Sequence, residues 1–331
     1  MSMNERSLRL EARSLASPVS ISAEARAALE RLIGPDGVPL NALFTLPAHD
    51  DVAGWEAVKG AADANYARML AAASQAPRAA VTTTRFADAT VHVATPDAAR
   101  VADAVYLDLH GGALVFGGGA ACRHGAGVQA DQLGMTVWSI DYRLPPAHPY
   151  PAALDDCLAV YRSALAAHAA DRIVIGGRSA GGNLAAAMLV RARDEGLPMP
   201  AGLALLSPEV DLTESGDSFA VNAGVDAMLP GSLMAPNRLY AGGADLAHPY
   251  LSPLFADLAG FPPSLLLTGT RDLFLSNTVR MHRRLLAARV LAELHVFEAM
   301  PHGGFGGAPE DREAAAEVTR FVHARLGRQA G

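Results

Sequence analysis

The sequence contains only two cysteines, Cys122 and Cys157, in 331 residues. Two thiols cannot build the disulfide framework of a small secreted protein. Neither cysteine belongs to a Cys-x-x-Cys motif or stands among clustered histidines, so the sequence predicts no metal site and no cofactor held by cysteine. We expect both side chains to be buried among apolar neighbours.

Long apolar runs and long charge runs are also absent. No stretch approaches the roughly 18 to 20 apolar residues of a membrane span. The net charge of -7 comes from interspersed acids and bases, which argues against nucleic acid or an anionic membrane as a partner. The first 15 residues carry several charges and lack the apolar core of a secretory signal, so we expect a soluble, cytoplasmic protein.

From about residue 81 onward, short β-rich runs alternate with longer helical patterns. This alternation is typical of a mostly parallel sheet with helices on both faces. The predicted strands are Val105–Leu109, Met135–Ile140, Ile173–Ile175, Leu203–Leu206, Leu265–Leu267 and Leu294–Phe297. The predicted helices in this part of the chain cover residues 120–133, 153–169, 180–195, 277–288 and 309–326. The fold class is therefore α/β.

Two regions depart from the alternation. Residues 1–80 are alanine-rich and predicted to be wholly helical, mainly over 23–33 and 52–75, and residues 210–260 are too long for a simple crossover. We interpret them as a helical cap region (1–80) and a cap insertion (about 210–260) in a catalytic domain that covers 81–331. Apolar side chains of the insertion could line an acyl pocket or belong to an ordinary core: Met228, Leu229, Leu233, Met234 and Tyr240.

The sharpest motif is Gly177-Arg178-Ser179-Ala180-Gly181, which joins a predicted strand to a predicted helix. A nucleophile elbow requires this context, because a tight strand-to-helix turn presents the serine between small neighbours. The amino end of the helix would also favour a developing oxyanion. The alternative is a glycine-rich turn with an incidental serine.

A second motif, His110-Gly111-Gly112-Ala113, follows the strand Val105–Leu109 directly. In loops of this kind the backbone N–H groups turn toward the reacting carbonyl, and the N–H after the nucleophile supplies another donor. Gly111, Gly112, Ala113 and Ala180 are the candidates for such an oxyanion hole. A plain turn at the end of a strand is the alternative.

A catalytic serine of this kind needs a histidine base downstream. His302 lies in a loop beyond the last predicted strand, where the imidazole can reach the carboxyl edge of the sheet. His295 falls within that strand and His323 within the terminal helix, positions more typical of packed or solvated histidines. The sequence therefore favours His302.

The acid that orients the base should lie between the serine and the histidine. Asp272 follows the predicted strand over 265–267 through a short turn, again at a carboxyl end. It could instead cap the next helix. Weaker rivals in or near the cap insertion are Asp211, Asp217 and Asp226.

The chain resembles the bacterial hormone-sensitive-lipase-like esterases of the α/β-hydrolase fold over about residues 80–325. The matching segments are His110–Gly112, Asp141-Tyr142-Arg143-Leu144, His148-Pro149-Tyr150-Pro151-Ala152 and Gly177–Gly182 followed by Asn183-Leu184-Ala185. The resemblance implies an amino-terminal helical cap, an eight-stranded sheet and hydrolysis of acyl esters without a metal or organic cofactor. In the family, the segment at 141–144 is a structural element near the site.

Three positions depart from the family pattern. Ala113 replaces the third glycine of the oxyanion loop, Arg178 replaces an aspartate before the nucleophile, and the acid loop reads Asp272-Leu273-Phe274-Leu275-Ser276 where many relatives have a proline and further acids. With these departures and the segment 207–212, the chain resembles a branch of the family whose members are often labelled ε-lactone hydrolases.

These observations predict a carboxylic-ester hydrolase in which Ser179 is the nucleophile, His302 the base and Asp272 its orienting acid. We expect short- to medium-chain acyl esters as substrates. A lactonase with the same triad is an alternative, and a non-catalytic ligand receptor on the same fold is a remote one. The expected partner is a small-molecule ester or lactone, and a homodimer stays open.

Arg178 is a cation placed immediately before the nucleophile. The predicted strand that ends just before Arg178 should lie beside the next one, Leu203–Leu206, at a spacing of about 4.8 Å. The segments that follow these two strands, which contain Arg178 and Glu209, should then be neighbours as well. We therefore predict an ion pair between Arg178 and Glu209, with Asp211 as the next choice. Arg178 could alternatively face the substrate pocket and select anionic esters, or remain exposed and unpaired.

Overall fold

The computed structural model describes residues 14–72, 76–229 and 231–327. One eight-stranded sheet runs through the chain. Its strands are β1 (Ala80–Phe86), β2 (Ala89–Thr95), β3 (Val105–Leu109), β4 (Thr136–Asp141), β5 (Ile173–Arg178), β6 (Gly202–Leu206), β7 (Ser264–Gly269) and β8 (Ala292–Phe297). The strand order is β1-β2-β4-β3-β5-β6-β7-β8. Only the pairs β1/β2 and β2/β4 are antiparallel, which confirms the prediction of a mostly parallel sheet.

All six strands predicted from apolar runs are present. The strands β1 and β2 were not predicted individually, because neither contains a continuous apolar run. β1 forms an edge and is largely exposed, with Thr82, Thr83 and Thr84 in its centre. β2 lies one position further in and alternates between buried and partly buried residues. An edge strand of this kind has no apolar face to reveal it.

Helices cover both faces of the sheet. They are α1 (Ala23–Arg31), α2 (Val52–Ala72), α3 (Ala120–Leu133), α4 (Ala152–Ala167), α5 (Ala180–Asp194), α6 (Ser218–Val221), α7 (Met234–Ala241), α8 (Leu275–Ala287) and α9 (Pro309–Arg325). One apolar cluster joins α4, α5 and α8 to one face, and a second joins α1, α3 and α9 to the other. The helices predicted beyond residue 81 begin and end within two residues of these bounds. Among the described helices, none has both the length and the apolar character needed to cross a membrane.

The amino-terminal segment is only partly helical. Between α1 and α2 the described chain forms a single bridge from Ile33 to Pro39 and a short 3-10 turn at Leu40–Leu43. The expectation of a wholly helical region is therefore wrong there. The predicted helix over 52–75 ends at residue 72 in the structure, and residues 73–75 lie outside the described part of the chain.

The amino-terminal segment and the predicted insertion pack together next to the loop after β3. Trp55 of α2 and Leu239 of α7 are buried against Val115, and Leu46 packs near Leu233 in a neighbouring apolar cluster. The Asn41 side-chain amide also donates to the Asp226 carbonyl oxygen at 2.9 Å. The division into cap and catalytic domain stays a prediction, and these contacts are consistent with it.

The apolar side chains named for the insertion have different surroundings. Leu233 and Tyr240 are buried in apolar clusters, and Leu229 packs at the edge of one of them. Met228 lines a cavity of about 210 Å³ between α1 and the loop after β8. Of these side chains, Met228 therefore borders a described cavity close to His302, whereas Leu233 and Tyr240 belong to the core.

The predicted ion pair between Arg178 and Glu209 is wrong. Arg178 is exposed and lines cavities on the side of α3 and α9, whereas the Glu209 carbonyl oxygen accepts from Asn183 of α5, on the other side of the sheet. Pairing of β5 with β6 brings the backbones together but does not bring these side chains to the same face. Asp211, the second choice, pairs with Arg280 at 2.7 Å instead.

The Glu209 side chain is fully buried, and neither carboxylate oxygen has a hydrogen-bond partner among the described residues. Burial raises the pKa of Glu209 from its ordinary 4.5 to about 8, and the nearby Asn237 amide lowers it only in part. At neutral pH the folded protein therefore keeps this carboxyl protonated, whereas the unfolded chain ionises it.

We expect Gly181→Ala to destabilise the protein. A Cβ at this position would lie 1.9 Å from the Leu109 carbonyl oxygen and 2.5 Å from that of His110, and backbone atoms cannot move away cheaply. The expected loss is about 1–3 kcal/mol or more in the free energy of unfolding. The matched control is Gly125→Ala in α3, where a Cβ would meet nothing within 4 Å and should gain about 0.5–1 kcal/mol. Equal melting temperatures for the two variants would contradict this close approach.

We expect Glu209→Gln to stabilise the protein more at pH 8 than at pH 5. As pH rises from 4.5 to about 8, the unfolded state loses the Glu209 proton while the folded state keeps it, so stability falls by about 1.4 kcal/mol per unit at most. An amide cannot ionise and removes this loss. Melting temperatures of both proteins across this range test the expectation, with the exposed Glu313→Gln as control. A difference that does not depend on pH would rule out a protonated Glu209.

Candidate active site

Ser179 lies at the turn between β5 and α5, as the sequence predicts. Its backbone has φ of 56° and ψ of -123°, a conformation that a residue with a Cβ adopts only under local constraint. The Ser179 N–H donates to the Leu206 carbonyl, and the Ser179 carbonyl accepts from the first turn of α5 and from the Glu209 N–H. These bonds hold the strained turn and keep the side chain at the carboxyl edge of the sheet.

The loop after β3 lies directly against this turn. A Cβ on Gly111 would lie 3.4 Å from the Ser179 Cβ and 3.1 Å from the Arg178 carbonyl oxygen. Gly112 has φ of +128° and Ala113 has φ of +50°. Ala113, the departure from three glycines, therefore does adopt a positive φ, at a cost that a glycine would not incur.

Tyr142 and His110 support this loop from below. Their rings stack with centroids 4.1 Å apart, and the Tyr142 hydroxyl donates to the His110 carbonyl at 2.7 Å. The His110 Nδ1 contacts the Gly111 carbonyl oxygen at 2.8 Å. Arg143 holds the next part of the chain through hydrogen bonds of 2.7–3.0 Å to Asp156. The segment at 141–144 therefore positions the loop rather than acting on a substrate.

His302 and Asp272 meet beside this edge. The His302 Nδ1 lies 3.1 Å from the Asp272 Oδ1, and Asp272 is fully buried while His302 is 8% exposed. Asp272 follows β7 and His302 follows β8, so both come from carboxyl ends of neighbouring strands. The structure thus brings together the acid and the base that the sequence favours.

The Asp272 carboxylate is held in a charged form. Burial alone would raise its pKa, but the charge of His302 and hydrogen bonds from His302 and Ser207 outweigh burial, so the pKa lies below its ordinary value. The Thr268 hydroxyl donates to Oδ2 at 2.8 Å and the Phe274 N–H to Oδ1 at 2.8 Å. Thr268 is not among the residues predicted from the sequence, although a polar residue near the end of an apolar strand, four positions before the acid, is a readable signal.

The rival acids have other surroundings. Asp226 is buried and accepts from the backbone N–H groups of Leu273 and Met228 at 2.8 Å, and more weakly from that of His302 at 3.3 Å. Burial raises the pKa of Asp226. Asp211 pairs with Arg280, and Asp217 is exposed ahead of α6. Asp226 therefore supports the two loops that carry the acid and the base, without contacting the imidazole ring.

The two rival histidines, His295 and His323, make contacts away from the site, as expected. The His323 Nε2 contacts the Leu133 carbonyl oxygen at 2.8 Å and joins α9 to α3. His295, in β8, has its Nε2 3.7 Å from Glu293 and 3.9 Å from Glu317. Neither lies at the carboxyl edge of the sheet.

Both cysteines are buried and free, as predicted. The Cys122 Sγ lies within 4.8 Å of donor atoms of His110 and Asp141, a proximity that the sequence did not reveal. Burial raises the pKa of Cys122 well above its ordinary value, so a metal ion bound there would have to displace the thiol proton. Its Sγ contacts the Ser139 hydroxyl at 3.3 Å.

Comparison with known proteins gives one family. Residues 105–305 match the model of a family described as having the alpha/beta hydrolase fold. An acetyl-hydrolase of Streptomyces hygroscopicus is 34% identical over 229 residues, covering 67% of this chain and 76% of that protein.

Solved structures agree with this match. A crystal structure of an esterase is 36% identical with a TM-score of 0.88 and covers 98% of this chain and 99% of its own. An esterase described as from the bacterial hormone-sensitive lipase family is 31% identical with a TM-score of 0.77, covering 92% of this chain and 99% of its own. The chain therefore belongs to the α/β-hydrolase family, as a carboxylic-ester hydrolase of the bacterial hormone-sensitive-lipase-like group.

Proposed function

We propose that this esterase acts through a covalent acyl-enzyme on Ser179, with His302 as the general base and Asp272 as the acid that orients it. The observation that carries the proposal is the 3.1 Å contact between His302 and Asp272 at the edge where the strained Ser179 turn lies. A serine is a weak nucleophile until a base takes its proton, and a buried carboxylate fixes the imidazole tautomer that can do so.

The reaction has two halves. Ser179 attacks the ester carbonyl while His302 accepts its proton, and the imidazolium then protonates the departing alcohol. A water molecule, deprotonated by the same imidazole, releases the acid and restores Ser179. The low pKa of Asp272 means that this carboxylate keeps its negative charge throughout and stabilises the imidazolium.

The oxyanion would be held by backbone N–H groups of Gly111, Gly112, Ala113 and Ala180. The proposal is supported by the close approach of Gly111 to Ser179 and by the position of Ala180 at the first residue of α5. The positive end of this 15-residue helix adds to the same potential.

We further propose that the amino-terminal segment and the 210–260 insertion form a cap over this site, and that substrates are short- to medium-chain acyl esters. The apolar contacts of Trp55, Val115 and Leu239 beside the oxyanion loop support the cap. The similar protein of Streptomyces hygroscopicus is named an acetyl-hydrolase, which supports small acyl groups. Cytoplasmic location and a homodimer stay predictions.

We expect a fluorophosphonate probe to label Ser179, and Ser179→Ala or His302→Ala to lower kcat by up to about 10⁶, as removal of these groups does in a serine protease. Asp272→Asn should lower kcat by up to about 10⁴, because an amide favours the wrong imidazole tautomer. Turnover of nitrophenyl esters of increasing chain length, with a lactone for comparison, provides the measurement. Asp226→Asn is the control for acid identity. If the label maps to another serine, or if Asp226→Asn proves more damaging than Asp272→Asn, the triad is wrong.

We also expect ester hydrolysis to survive prolonged treatment with EDTA, because the two-step reaction proposed above needs no Lewis acid. Steady-state rates before and after chelation test this, with Cys122→Ser and Cys157→Ser measured in parallel. A loss of activity that zinc restores in the wild type and in Cys157→Ser, but not in Cys122→Ser, would make the group of His110, Cys122 and Asp141 a metal site.

A further inference from the structure

Arg178 lies at the junction of two cavities on the side of the sheet covered by α3 and α9. One cavity, of about 240 Å³, reaches Gly303 and Gly304 in the loop that follows His302. The other, of about 330 Å³, reaches Leu109 and His110 ahead of the oxyanion loop. Both share the side chains of Gln129, Arg178 and Leu206. We call the two cavities together the Arg178 groove.

Three residues that line the Arg178 groove are immediate sequence neighbours of proposed catalytic groups. Arg178 itself precedes Ser179, Gly303 follows His302, and His110 precedes Gly111. Tyr66 of α2 closes the groove from the amino-terminal segment. A substrate whose ester carbonyl lies at Ser179 could therefore extend a short substituent to the guanidinium.

The guanidinium has no partner of its own among the described residues. The carboxylates whose charges act on it are those of Asp311, Asp272 and Asp108, and none forms an ion pair with it. Such an arginine beside a cavity is available for a ligand. Arginine can bind a carboxylate through two parallel hydrogen bonds.

Each of the three neighbouring carboxylates is engaged elsewhere. Asp311 accepts from the backbone N–H groups of Phe305, Gly307 and Ala308 at 2.6–3.2 Å. Asp108 accepts from the Ser139 hydroxyl at 2.6 Å, and burial raises its pKa. Asp272 holds His302. Each of these carboxylates therefore has other hydrogen-bond donors and forms no ion pair with Arg178.

We infer that the Arg178 groove binds a carboxylate carried by the substrate, so that the enzyme favours esters with an anionic substituent, such as hemiesters of short dicarboxylic acids. This inference rests on the proposed function, because it assigns the substituent of an ester that Ser179 attacks. The carboxylate belongs either to the acyl group or to the alcohol, and both present the same chemistry to Arg178.

The test compares matched anionic and neutral esters. For the acyl side, the pair is the p-nitrophenyl hemiester of glutarate against p-nitrophenyl pentanoate. For the alcohol side, the pair is 4-acetoxybenzoate against 4-acetoxybenzamide. The kcat/KM of each is measured for the wild type, Arg178→Met and Arg178→Lys, with Arg283→Met as control for the loss of one exposed positive charge.

We expect Arg178→Met to lower kcat/KM for the anionic member of one pair by about 10- to 100-fold and to change that of the neutral member by less than about threefold. Arg178→Lys should give an intermediate loss, because it keeps the charge but not the two parallel bonds. Arg283→Met should leave the anionic-to-neutral ratio unchanged. The pair that responds identifies the side of the ester that carries the carboxylate.

An anionic-to-neutral ratio that Arg178→Met leaves unchanged in both pairs overturns the inference, whether the rates stay constant or fall together. In the second case Arg178 is a positioning residue of the Ser179 turn. Failure of the proposed function looks different: Ser179→Ala would then hydrolyse neutral and anionic esters alike, at rates close to the wild type.

Discussion

The active-site edge depends on the close contact between the turn at Ser179 and the loop that follows β3. A side chain at Gly181 would overlap the carbonyl oxygens of Leu109 and His110, and one at Gly111 would press on the Ser179 turn. Because the two backbones touch, the strained conformation of Ser179 is imposed from both sides and the loop N–H groups are fixed at the same time. The stacked rings of His110 and Tyr142 connect the loop to the end of β4. The pairing of β3 with β5 sets the position of the loop relative to the Ser179 turn.

Several polar groups are buried around the contact between the Ser179 turn and the loop after β3. Asp272 can stay charged in a buried position because His302, Ser207, Thr268 and a backbone N–H surround it. Asp226 ties the backbone of His302 to that of Leu273 and so connects the loops that carry the base and the acid. Removing one group would leave others buried without partners, which costs more than the lost hydrogen bond itself.

The fold and the candidate residues could be predicted where a single segment of the chain determines the position of a residue. The turn at Ser179 and the loops of His302 and Asp272 each follow an apolar strand, and carboxyl ends of parallel strands share one edge. Prediction from the sequence failed where the contact depends on which face of the sheet a side chain occupies. The pairing of β5 with β6 was anticipated, yet Arg178 and Glu209 lie on opposite sides of the sheet, and no local pattern reveals that. The strand β1 lies exposed at the edge of the sheet, and its sequence therefore contains no apolar run that would predict it.

The separation of Arg178 from Glu209 has an electrostatic consequence at the nucleophile. Glu209, whose N–H donates to the Ser179 carbonyl, keeps its proton up to about pH 8. At neutral pH it therefore places no negative charge behind the turn to oppose the positive end of α5. On the other side Arg178 adds a cation immediately before the nucleophile. Both features make the surroundings of Ser179 more positive than a buried ion pair between Glu209 and Arg178 would, and a more positive site favours an oxyanion and an anionic substituent alike.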